Sequence, residues 1–185
     1  MKNRTFWIIL GIIVVVAIYV LSAYNGLVTK SENVTNQWAQ VETQYQRRFD
    51  LIPNLVESVK GIFEQEQTVF DNLADARTKY AGAGSIGEKA AAATEVEGAL
   101  ARLLVVVENY PELRSSEAVQ TLMAQLEGTE NRVSVERKRY NDAVRTLNVS
   151  VKRFPTNVIA GIFGFTEEVY FEAAEGAETV PAVEF

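Results

Sequence analysis

The chain reads as all-α: an N-terminal transmembrane helix, then an elongated up-and-down antiparallel bundle of three long helices, a short fourth being one way to complete it. Three observations predict this. Residues 6–24, FWIILGIIVVVAIYVLSAY, hold no charge. The positions after them follow helical spacing almost without interruption. Strand patterns are absent, because runs such as Val105-Val106-Val107 fall within helical periodicity.

The uncharged run spans roughly 28 Å as a helix, close to the ~30 Å hydrocarbon core of a bilayer. A cleaved signal peptide would be shorter and would end in a small-x-small site. Here the nearest candidate, Leu21-Ser22-Ala23, starts with a bulky residue, so a retained anchor is expected. Lys2, Arg4 and the terminal amine precede the run, and only Lys30 follows closely. The positive-inside rule then leaves residues 1–5 as a short cytoplasmic N-terminus and puts the body outside the cytoplasm. Phe6, Trp7, Tyr19 and Tyr24 stand where interfacial aromatics belong.

From Val34 the apolar residues alternate by four and three: Val34, Trp38, Val41, Tyr45, Arg48, Ile52, Leu55, Val59, Ile62, Glu66, Val69, Leu73, Ala76, Tyr80. That is the seam of a helix packed lengthwise on others. The predicted first helix is about 47 residues long and continuous with the anchor, with a kink near Asp50 caused by Pro53. The turn 81–87, AGAGSIG, precedes a second seam through Ala92, Val96, Ala99, Leu103, Val106 and Tyr110, ended by Pro111. A third runs through Val119, Leu122, Leu126, Val133, Tyr140, Val144, Leu147, Val151 and Phe154, ended by Pro155. These lengths are unequal, so a fourth short helix, self-association or a partner must cover the remainder of the first helix.

Composition narrows the chemistry. Cysteine and histidine are both absent, which removes thiol nucleophiles, disulfides and the commonest general base and metal ligand. The net charge of -6 comes mostly from the end of the chain, where six glutamates and no basic residue follow Arg153. No basic stripe exists, so nucleic-acid binding is not expected. Ser115 and Ser116 read as a helix start, and Asp71, Asp75 and Lys79 as a solvated charge ladder. Gly82, Gly84 and Gly87 lack the strand and lysine of a phosphate loop. No catalytic, cofactor or metal residue is assigned. The sequons at Asn33 and Asn148 are discounted in a helical chain of this type.

Two polar positions interrupt the first seam. About 27 Å of helix separates Arg48 from Glu66, too far for the two to pair in one chain. Arg48 is expected to lift its head to the surface, and Glu66 to meet Arg137 or Arg145. In the other reading they set register at a subunit or partner interface. The asparagines, Asn141 and Asn148 among them on one helix face, are expected to cap kinks and bridge helices. Segment 156–171, TNVIAGIFGFTEEVYF, is too apolar for a free tail. It either docks on the bundle, contacts another subunit through Ile162, Phe163 and Phe165, or enters the lipid interface.

Several motifs together carry a family likeness. They are Arg47-Arg48-Phe49-Asp50-Leu51-Ile52-Pro53-Asn54-Leu55-Val56, preceded by Tyr24-Asn25-Gly26-Leu27-Val28 and Trp38. Further on come Ala76-Arg77, Glu108-Asn109-Tyr110-Pro111-Glu112-Leu113, Thr129-Glu130-Asn131-Arg132, Arg139-Tyr140-Asn141 and Phe154-Pro155-Thr156-Asn157. In these the chain resembles the LemA family of bacterial membrane proteins, over nearly its whole length. The resemblance implies a single-span protein of the bacterial inner membrane with a helical domain and no known enzymatic activity. A magnetosome relative takes part in making an internal membrane, which by analogy points to membrane organisation. On this reading residues 25–155 are the family's helical bundle, and 156–185 an apolar segment with an acidic tail. Arg47, Arg48, Asp50, Pro53, Asn54, Tyr140 and Asn141 are the motif residues expected to make interactions. The expected partners are the membrane, further copies of the chain and an envelope protein. The expected function is a self-associating, non-enzymatic scaffold, the alternative being an anchored module that regulates another membrane protein.

Overall fold

The structure, a computed structural model, describes residues 2–59 and 66–171, so the predicted seam residue Ile62 and most of the acidic tail lie outside the described residues. The elements are α1 (Lys2–Ser58), α2 (Gln67–Gly82), α3 (Ile86–Asn109), the single turn α4 (Pro111–Arg114), α5 (Glu117–Lys152) and α6 (Thr156–Phe163). No strand occurs among the described residues. They divide into two compact units: residues 2–37 with 139–170, and residues 38–138 with Phe171.

α1 carries both the uncharged run and the start of the seam within one helix, as the absence of breakers other than Gly26 predicts. The run is exposed nearly throughout, whereas Val34, Trp38, Val41, Tyr45, Arg48, Ile52, Leu55 and Val59 are all buried. Pro53 lies inside α1, which continues five residues beyond it. The Asp50 carboxylate accepts from Gln46 Nε2 at 2.9 Å, one turn back on the same helix.

The predicted 47-residue first helix is corrected. It is two helices, and the second folds back on the first. Tyr80, near the end of α2, packs its ring on Phe49 at 4.8 Å and on Tyr45 at 5.4 Å. In a continuous helix Tyr80 would stand roughly 47 Å from Phe49. The fold-back supplies the cover that the unequal lengths left missing. Pairs between elements give the order within the 38–138 unit. Glu42 and Tyr45 meet Lys89 and Glu97, so α1 and α3 run in the same direction. Arg48 meets Glu130 and Tyr45 meets Arg137, so α1 and α5 run oppositely. The unit is an up-down-up-down bundle of α1, α2, α3 and α5.

The predicted turn separates α2 from α3 through a capping box at Ser85. The Ser85 Oγ accepts from the Glu88 N–H at 3.2 Å, and the Glu88 carboxylate accepts from Gly84 and Ser85 N–H at 2.9 and 3.0 Å. Those backbone donors hold the Glu88 carboxyl below its ordinary range, Gly84 contributing most. Pro111 ends α3 by opening α4, and α5 starts directly after Ser116.

In the other unit α5 continues its buried seam with Tyr140, Val144 and Leu147. Phe154 departs from the seam, because α5 has ended at Lys152 and the ring is 76% exposed. α6 buries Ile159 and Ala160 and closes at Gly164, whose φ of +76° is a left-handed value that a side chain would strain.

Candidate interaction site

The motif on α1 divides by helical face. Arg48, Phe49, Ile52 and Leu55 point inward, and Arg47, Asp50, Pro53 and Asn54 are exposed. Since 48, 52 and 55 share the seam, the arginine must enter the core between α1, α3 and α5. It does not reach the surface. The Arg48 side chain is 7% exposed, and its Nη1 pairs with Glu130 Oε2 on α5 and stands 3.8 Å from Glu97 Oε1 on α3.

Glu97 is the centre of the cluster. Its Oε1 also accepts from Tyr45 Oη at 2.9 Å and from Arg137 Nη2, which donates in turn to the Tyr45 hydroxyl. Arg137 lies over the rings of Phe171 at 4.3 Å and Tyr45 at 5.5 Å. Phe171 in turn stacks on Trp38 at 6.3 Å. Two guanidiniums and two carboxylates sum to zero charge, which offsets the cost of burying Arg48. Burial, followed by the Glu97 charge, pushes the Tyr45 phenol far above its ordinary range and keeps it protonated. Tyr80 is raised too, by burial first and Glu42 second. The cluster therefore holds three helices in register, and each of its charges faces an opposite one.

The exposed half of the same motif borders a cleft. Arg47, Asp50 and Leu51 of α1 and Ala124, Gly128, Thr129 and Arg132 of α5 line about 440 Å³. A second cleft of about 590 Å³, lined by Arg48, Arg114, Met123, Glu127 and Glu130, opens onto the ion pair. The structure thus brings Arg47, Arg48 and Asp50 together with the Thr129–Arg132 motif. Pro53 and Asn54 stay on the surface, where the Asn54 carbonyl accepts from Ser58 Oγ at 2.7 Å. Among the described residues no group of three or more acidic side chains is placed to hold a metal ion.

Tyr140 and Asn141 belong to the other unit. The Tyr140 hydroxyl donates to the Val169 carbonyl at 2.8 Å, and burial, followed by Glu168, raises its pKa to about 12. Asn141 is half-buried. Asn148, one of the asparagines expected to cap or bridge helices, instead clamps a segment outside the helices. Its Nδ2 donates to the Glu168 carbonyl and its Oδ1 accepts from the Glu168 N–H, both at 2.8 Å. Of the assembly candidates, Ile162 is 72% and Phe163 50% exposed. Phe165 is half-buried against Tyr24 at 5.9 Å.

Sequence reasoning missed Glu97, and it paired the wrong residues. Glu66 accepts from Tyr110 Oη at 3.2 Å rather than from Arg137 or Arg145. The available signal was Glu97 lying between the buried Ala93 and Leu100, an acid on an apolar stripe opposite a seam arginine.

Fold and site define a membrane-associated, all-helical bundle protein whose interior is pinned by compensated charge. The LemA family profile matches residues 37–185, and the chain belongs to the LemA family. Two curated relatives, magnetosome proteins MamQ 1 and MamQ 2 of Paramagnetospirillum magneticum, are each 29% identical. Magnetosome protein MamQ of Magnetospirillum gryphiswaldense is 26% identical. Each alignment covers 86% of this chain and 68% of the relative.

Proposed function

We propose that the protein is a non-enzymatic scaffold, anchored in the bacterial inner membrane, that associates with its own copies and organises proteins or lipid at the cell envelope. The observation that carries this reading is that one helix, Lys2–Ser58, holds both the lipid-length apolar run and a core arginine fixed by Glu130 and Glu97. A bundle held in register by such a cluster and attached to its anchor without a linker suits a spacer or platform. The similarity to magnetosome proteins supports a role at a membrane. Full-length protein purified in detergent and imaged directly should show a defined ring or array of identical chains. Monomers that instead capture one different protein in fixed ratio would favour the alternative, an anchored regulator of another membrane protein.

Lys2 and Arg4 before the run place the body on the extracytoplasmic side in this reading. Ser85→Cys should then react with an impermeant maleimide in intact cells, after permeabilisation of an outer membrane where one exists. Labelling confined to fully lysed cells would reverse the orientation.

A further inference from the structure

We propose that α6 is a second membrane contact, bedded by its exposed apolar face in the lipid boundary beside the C-terminal end of the anchor. The proposal rests on the anchored reading above and names lipid as the occupant of a face that no described residue covers.

Between Arg153 and Glu167 there are thirteen residues without a charge. α6 uses little of this apolar surface internally. Ile159 and Ala160 are buried, whereas Phe154, Val158 and Ile162, spaced by four, are 76%, 52% and 72% exposed, and Phe163 is half exposed. A contiguous patch of this kind on a helix seeks an apolar partner. Its position says which. Thr156 Oγ1, at the start of α6, lies 3.4 Å from the hydroxyl of Tyr19, and Tyr19 sits five residues inside the end of the uncharged run. Phe163, at the other end of α6, packs on Tyr24 at 4.8 Å, where the run stops.

The depths agree. Five residues of helix rise about 7.5 Å. Interfacial helices sink roughly 5–10 Å into the boundary between headgroups and acyl chains. Lipid that surrounds α1 at Tyr19 therefore reaches α6, and the exposed faces of α6 and of the anchor form one continuous apolar surface. Arg153, exposed just before α6, is placed to meet a headgroup phosphate.

The full chain has no cysteine, so single probes can be introduced without background. Ile162→Cys, carrying a polarity-sensitive fluorophore, would be compared with Val15→Cys in the anchor and Asp142→Cys. Asp142 lies ten residues, roughly 15 Å, back along α5 from its end. Each chain is reconstituted in phosphatidylcholine–phosphatidylglycerol vesicles after circular dichroism verifies its helicity. Nitroxide-bearing lipids, labelled near the headgroup or deep in the acyl chain, report contact. The Ile162 probe should be blue-shifted and lose most of its emission to the shallow nitroxide. The Val15 probe should respond to the deep one and the Asp142 probe to neither. A Val15 probe that is quenched beside an Ile162 probe that is not would overturn the α6 contact alone. A blue-shifted but unquenched Ile162 probe would put a second copy of the chain on this face and likewise overturn it. An unquenched Val15 probe would remove the anchor, and the contact with it.

Discussion

In the unit of residues 38–138, helices meet through side chains that carry full charges: Arg48 with Glu130, and Arg137 with Glu97. In the unit that contains residues 139–170, α5 meets a non-helical segment through a neutral amide and a phenol, Asn148 on Glu168 and Tyr140 on Val169, together with an exposed ion pair, Lys152 with Glu167 at 2.7 Å. The backbone explains the difference. Inside a helix every N–H and C=O is already used, so polar contact between helices must run from side chain to side chain. A segment outside a helix lacks the helix's own hydrogen-bond partners for its N–H and C=O, and one asparagine, with a donor and an acceptor, satisfies both at a single residue. The unit made of packed helices relies on opposite charges around the buried Arg48, whereas the strap adds an exposed ion pair to uncharged hydrogen bonds.

Removal of one charge should give the largest effect that this contrast predicts. Arg48→Ala leaves the Glu130 and Glu97 carboxylates short of a partner, and breaking a buried pair costs about 3–5 kcal/mol. Glu130 is 44% exposed and can rehydrate, and Glu97 keeps Arg137 and Tyr45, so the lower end, about 3 kcal/mol, is expected. Denaturant unfolding of the full chain in detergent, followed by circular dichroism, measures this. Arg48→Met combined with Glu130→Leu should regain part of the loss, because no charge is then stranded. If the double variant is less stable than Arg48→Ala, charge compensation is not what the cluster supplies.

The neutral clamp should respond less and more locally. Asn148→Ala strands the Glu168 N–H and carbonyl, at a cost of about 1–3 kcal/mol for the groups left unsatisfied. The loss should concentrate in the 165–170 segment, since α5 keeps its own backbone bonds. Hydrogen exchange at the Glu168 amide should therefore accelerate sharply while amides within 92–107 of α3 stay protected. Equal acceleration in both places would mean that the clamp supports the whole chain rather than its strap.

How much of this was legible follows from periodicity. The seam of α1 was readable residue by residue, because burial on a helix repeats every three or four positions and all eight seam residues from Val34 to Val59 are buried. The reversal between Ser58 and Gln67 was not, because the same 4-3 spacing resumes in α2 with Leu73 and Ala76 buried. Periodicity records which face is apolar but not which way the helix runs. Arg48 stood out as a charge in the seam, yet its partners lie 49 and 82 positions away, and pair identity at that distance has no local signature. The strap was the least legible, since Glu168 is held by an asparagine that reads as any other polar helix residue.

Ionisation supplies the smallest test and separates the units a second time. The Tyr140 pKa is raised from its ordinary 10.0 to about 12, by burial first and the Glu168 charge second. The folded state thus holds this proton more tightly than the unfolded one. The stability this provides is complete below pH 10 and declines as pH rises from about 10 through about 12, because the unfolded chain releases its proton first. The ionised phenol also cannot donate to the Val169 carbonyl. Tyr140→Phe should cost about 0.5–1.5 kcal/mol at neutral pH, the net worth of one such hydrogen bond, and should flatten this alkaline loss in the strap. Tyr45 and Tyr80 are also raised by burial, so the 38–138 unit should keep its own alkaline loss in that variant. Hydrogen exchange at residues 165–170 and at 92–107, measured from neutral pH to pH 11, resolves the two. If Tyr140→Phe leaves the alkaline loss of the strap unchanged, the phenol does not hold the Val169 carbonyl.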